Sequence, residues 1–106
     1  MKISIDLDGT YLEYSDTFDA MAAMLQMSGH EVGILTARAD DEEGHVEVGF
    51  DPDFEYYLGL KDDDHTPQDK AMEKTMMIQA EDIDLHFDDE FEMFPDYIKG
   101  QIIEIE

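Results

Sequence analysis

Two aspartates, Asp6 and Asp8, stand one residue apart after the run Ile3-Ser4-Ile5, and Gly9-Thr10 follow them. A second acidic pair, Asp88-Asp89, closes the run Ile83 to Phe87, and Thr36 closes Gly33-Ile34-Leu35. Carboxylates crowded into one crevice repel each other, and a divalent cation with oxygen ligands relieves that repulsion. Mg²⁺ prefers one or two carboxylates, backbone oxygens, water and substrate phosphate. A carboxylate is also a nucleophile toward phosphorus, and it splits hydrolysis into two displacements through an aspartyl-phosphate. In this chemistry Asp6 takes the phosphoryl group. Asp8 protonates the leaving oxygen and then activates the attacking water. The metal and one lysine neutralise charge as the group moves. Gly9 allows a sharp departure of the backbone, the Thr10 hydroxyl helps to fix the geometry, and Thr36 can hydrogen-bond a phosphate oxygen. Gly9, Thr10, Ala37 and Arg38 are the candidate substrate-binding residues.

These residues work together only if the chain brings them to one place. Residues 2–6 read as a short strand with Ile3 and Ile5 alternating. Asp8-Gly9 breaks it. Ser15 or Asp16 is a plausible N-cap for a helix carrying Phe18, Met21, Ala22 and Leu25, with Gly29 as its stop. Residues 31–36 read as a strand buried on both faces. Strand, helix, strand in this order imply a parallel sheet with a right-handed crossover. Residues 40–43 and 62–64 are acidic loops, 45–50 an edge-like strand, and 54–60 a short helix. Thr66-Pro67-Gln68-Asp69 opens a helix that runs to about Ala80. Residues 83–87 form the next strand, 90–94 a helical turn before Pro95, and 101–105 a last strand. The expected architecture is α/β: a three-layer Rossmann-like sandwich with a mainly parallel sheet of about five strands. Three of the polar clusters then fall at carboxyl ends of strands, where open parallel sheets form their sites.

At 106 residues the chain suits a single domain, and a hydrophobic fraction of 42% supports a modest core. No cysteine is present, which excludes disulfides and thiolate metal sites. Met1 to Ile5 is too short for a secretory signal and 21–27 too short to span a membrane, so a soluble, cytoplasmic protein is expected. Asp and Glu number 29 against 6 Lys and Arg, a formal net charge of -23. Such a surface repels polyanions at low salt, which makes nucleic acid an awkward partner there. The same excess also suits a protein adapted to concentrated salt.

The motif order resembles the haloacid-dehalogenase superfamily. Asp6-Leu7-Asp8-Gly9-Thr10 matches its first motif, Gly33-Ile34-Leu35-Thr36 its second, and His86-Phe87-Asp88-Asp89 its fourth. The third motif is a lysine, for which Lys70 and Lys74 are both available. Lys70, at the helix start, is the one the resemblance favours. The resemblance spans residues 3–89 and implies a Mg²⁺-dependent phosphomonoester phosphatase. It implies that Asp6 and Asp88 ligate the metal through carboxylates and Asp8 through its backbone carbonyl. Asp89 supports Asp88 or shares the metal. An acid at position 8 favours the phosphatase branches. Residues 10–28 hold one helix and 36–70 are too few for a full α/β cap, so a capless, open site is expected. Its substrate would be a phosphorylated small molecule or the exposed phosphoryl end of a larger one, and a partner subunit could roof the site.

Other readings compete. The same fold could bind metal and phosphate as a catalytically weak or inactive regulatory protein. An acidic nucleic-acid mimic is suggested only by the charge. A receiver domain takes its acids from different strands, whereas Asp6 and Asp8 share one. Arg38, the sole arginine, can serve a substrate phosphate or the acidic loop beside it. His86 reads as structural, and His30, His45 and His65 as surface residues without ligand spacing. The eight methionines read as core packing on helix faces, and Phe54, Tyr56 and Tyr57 as core.

Overall fold

The computed structural model describes residues 1–106. Five strands form one all-parallel sheet: β1 (Lys2–Ile5), β2 (Glu31–Thr36), β3 (Glu55–Tyr57), β4 (Leu85–Asp88) and β5 (Ile102–Glu104). Their spatial order is β3-β2-β1-β4-β5. The chain builds outward from β1 to β3, then returns across the sheet to β4. The reversal lies beside β1, and a crevice opens outside the strand ends at such a switch point.

Two helices sandwich the sheet. α1 (Ser15–Met27) places Phe18 and Ala22 against Ile3, Ile5, Val32 and Ile34 on one face. α2 (Pro67–Ala80) places Ala71 and Ile78 with Leu35, Ile83, Ile98 and Ile102 on the other. The period-two alternation of β2 divides Ile34 from Leu35 between these cores. The Rossmann-like α/β expectation therefore describes the molecule, and between β2 and α2 only β3 intervenes, with no cap domain.

Several local expectations change. α2 begins as read: the Thr66 hydroxyl accepts from the Asp69 N–H, and the Asp69 carboxylate accepts from the Thr66 N–H. α1 instead starts after Tyr14 with no side-chain cap. Residues 54–60 are not a helix. They contain β3, whose pairing with β2 sets Tyr56 opposite Leu35. Residues 45–50 form no strand. Val46, Val48 and Phe50 tuck against the α1-side core without a strand partner. Residues 96–101 add a 3₁₀ segment, Asp96–Gln101, that buries Ile98. Only Met21, Met77 and Met93 of the eight methionines pack against the cores. Met24 is 69% and Met27 88% exposed, and Met1, Met72 and Met76 are exposed too. No helix is long and apolar enough to cross a membrane.

Candidate active site

β1 delivers Asp6 just past its end, and the chain then turns abruptly. Asp8 (φ -68°, ψ 128°) and Gly9 (φ 74°, ψ -6°) are the central residues of a type II turn. The second central residue of that turn needs positive φ, which glycine adopts freely. A Cβ on Gly9 would also meet the Asp89 carboxylate. The turn therefore brings the backbone of residue 9 directly under the second acidic pair. Tyr11 N–H then closes back onto the Asp6 carbonyl at 3.1 Å.

β4 lies beside β1, with Ile5 opposite Phe87, so Asp88 emerges next to Asp6. The carboxylates of Asp6, Asp88 and Asp89 each present an oxygen within 4.8 Å of the others. Lys74 reaches into this cluster from α2. Its Nζ is 3.1 Å from Asp6 Oδ1 and 2.8 Å from Asp88 Oδ2. Lys74 is buried because it shares the inward stripe of α2 with Ala71, Thr75 and Ile78. A lysine on such a stripe needs carboxylate partners, and that was the signal in the sequence for choosing it. Lys70, the lysine favoured above, sits elsewhere. It lines the rim of the crevice and pairs with Asp62. The structure thus sets Lys74, not Lys70, against the acidic cluster.

Burial pushes the Asp6 carboxyl up to about 7; Lys74 opposes the shift and Asp88 adds to it. For Asp88, burial acts upward as well, but the His86 hydrogen bond and Lys74 outweigh it and hold it well below the usual range. Asp89 is raised by burial and by Asp88. Lys74 is held charged: burial opposes this, and the two carboxylates overcome it. One ammonium serves three carboxylates: Lys74 pairs with Asp6 and Asp88, and Asp89 has no cation beside it. The donors are all carboxylate oxygens, a set that suits a hard cation such as Mg²⁺. Asp6, Asp88 and Asp89 would hold such an ion.

The remaining candidates divide. Ala37, Asp8 and Gly9 line a cavity of about 210 Å³ together with Asp6, Lys74 and Asp89. Thr36 ends β2 but is fully buried outside that lining, and its hydroxyl accepts from the Arg38 N–H at 3.2 Å. Thr10 is buried too, and its hydroxyl donates to Asp89 Oδ1 at 3.4 Å. Arg38 grips neither a loop acid nor an open anion position. Its Nε and Nη2 fork onto the two Asp8 oxygens at 2.9 and 2.7 Å, and Nη1 donates to the Gly44 carbonyl. This bidentate pair holds the Asp8 carboxyl below its ordinary range.

No protein-family model matches the chain, and neither a curated protein nor a solved structure matches it.

Two further features border the site. His86, read as structural, is fully buried, and its Nε2 lies 2.8 Å from Asp88 Oδ2. A wider groove of about 710 Å³ shares Asp8, Ala37 and Lys70 with the cavity and carries Arg38 and Lys61. Lys61 is the one lysine or arginine without an acidic partner; Lys2, Arg38, Lys70, Lys74 and Lys99 are all paired.

Proposed function

We propose that this chain is a divalent-metal-dependent phosphomonoesterase that works through an aspartyl-phosphate on Asp6, in the manner of the haloacid-dehalogenase superfamily. The observation that carries the reading is Lys74 bridging Asp6 and Asp88, which come from two adjacent parallel strands. Phosphoryl transfer asks for a carboxylate nucleophile beside a fixed positive charge, and this arrangement supplies both. Mg²⁺, held by Asp6, Asp88 and Asp89, would supply the positive charge that lets an anionic ester approach.

An Asp6 carboxylate oxygen attacks phosphorus as the ester P–O bond breaks. The leaving oxygen takes a proton from the Asp8 carboxyl. Water then attacks the aspartyl-phosphate, its proton passes to Asp8, and the P–O bond to Asp6 breaks. Lys74 stays charged throughout and offsets the charge on the transferring group. Asp8 can donate only if its fork to Arg38 loosens, so Arg38 moves toward the incoming phosphate as the site fills. The groove beyond Asp8 leaves Lys61 free for a second anionic group on the substrate, which is therefore a small phosphorylated molecule or an exposed phosphoryl end.

The test is release of phosphate from p-nitrophenyl phosphate with Mg²⁺. Wild type should turn over, EDTA should abolish it, and Asp6→Asn should be inactive at normal folding. A second reading, metal and phosphate binding without turnover, is favoured by the Arg38–Asp8 fork. Tight Mg²⁺ binding with no hydrolysis across a broad ester panel would establish that one instead.

A further inference from the structure

We propose that Ser4 and His86 are positioning residues that orient Asp88 for the divalent cation. The proposal takes its purpose from the phosphohydrolase reading, but its test needs no turnover.

Ser4 and His86 face each other across β1 and β4, and both are fully buried. Apolar side chains would fill these places more cheaply, because a buried hydroxyl or imidazole is costly unless hydrogen-bonded. Here the hydroxyl and both ring nitrogens are partnered, in a single line. Ser4 Oγ lies 2.7 Å from His86 Nδ1, and His86 Nε2 lies 2.8 Å from Asp88 Oδ2.

The line has a direction. An ionised Asp88 only accepts, so His86 Nε2 carries the hydrogen. Nδ1 of the neutral ring is then an acceptor, and the Ser4 hydroxyl donates to it. Ser4 therefore selects the tautomer and ring orientation, and the ring fixes Asp88. From Asp88 the line continues to Lys74 and through it to Asp6.

Asp88 is held at both oxygens. Lys74 also donates to Oδ2, at 2.8 Å, and the Glu90 N–H donates to Oδ1 at 2.9 Å. Two carboxylate oxygens offer about four lone-pair positions, so three donors still leave room for a cation. Groups that hydrogen-bond a ligating side chain from behind are typically worth about 10- to 100-fold in metal affinity.

Calorimetric Mg²⁺ titration of the full chain tests this, with circular dichroism melts run in parallel. His86→Leu should weaken Mg²⁺ binding about tenfold or more, and Ser4→Ala several-fold, with both variants folded. His86→Gln retains an N–H donor and should recover most of the loss. Nitrogen-15 spectra should show a single Nε2–H tautomer for His86 in wild type and a mixture in Ser4→Ala. Wild-type Mg²⁺ affinity in both Ser4→Ala and His86→Leu would overturn the proposal. If His86→Leu fails to fold, an unchanged affinity and tautomer in Ser4→Ala overturns it alone. Wild type that binds no Mg²⁺ also overturns it. Wild type that binds Mg²⁺ but hydrolyses no ester overturns the phosphohydrolase reading and leaves this one standing.

Discussion

Lys74 and Lys70 lie one turn apart on α2, and each ends on aspartate, but the floor and the rim of the crevice surround them differently. On the floor, Lys74, Asp6 and Asp88 are all buried. Desolvation there is large, and only mutual pairing makes the charges tolerable. On the rim, the Asp62 partner of Lys70 is almost fully exposed, where water and salt do most of the work. The two pairs look alike as contacts, yet only the floor pair is locked to a single geometry. Chemistry that depends on fixed charge belongs on the floor.

Removing the floor cation should have the largest effect. Lys74→Ala leaves two buried carboxylates without their ammonium, so turnover should vanish and stability should fall by about 3–5 kcal/mol, read by urea titration. Full activity in that variant would abolish the distinction between floor and rim. Arg38→Ala comes next. It frees Asp8 but also loses its positioning, and kcat should drop by about 10- to 100-fold, with Mg²⁺ affinity unchanged. Lys70→Ala should change kcat/KM less than about fivefold and the melting temperature hardly at all, as for an exposed pair. A loss as large as that of Lys74→Ala would restore Lys70 to the central role its place at the helix start suggested.

The smallest effect lies farthest from the floor. His45 is raised above its ordinary pKa, chiefly by the hydrogen bond to Asp40 and further by Glu47. A raised pKa means the folded state binds the proton more tightly than the unfolded chain. Its contribution is full below the unfolded value and fades as pH rises through the folded one. The melting-temperature gap between wild type and His45→Gln should therefore shrink above about pH 6.5. A gap that widened with pH would show that the loop is held by something other than this charge.

Much of the frame could be read from the chain because local chemistry and tertiary role agreed. The Thr66-Pro67 start of α2, the alternation of β1 and the Asp8-Gly9 turn each demand a conformation that the fold also needs. Where the two diverged, the reading failed. Residues 54–60 carry three aromatics and no alternation long enough to reveal a strand, and β3 exists because β2 offers it an edge. Val46, Val48 and Phe50 alternate because they pack, not because they pair. Closeness to the helix start points to Lys70, whereas position on the buried stripe is what sets Lys74 against the acidic cluster. Arg38 was legible as a phosphate ligand or loop partner but not as a partner of Asp8, since 30 residues separate them and only the parallel sheet makes them neighbours.

The central place of β1 has a further consequence. It is hydrogen-bonded along both edges, and the Asp6 N–H donates to the Phe87 carbonyl at 3.0 Å. Amides in such a strand trade their hydrogens for solvent deuterium only when the whole sheet opens. The backbone that carries Asp6 is thus tied to the slowest-exchanging part of the molecule. Local opening of the acidic loops would leave that aspartate in register with Asp88.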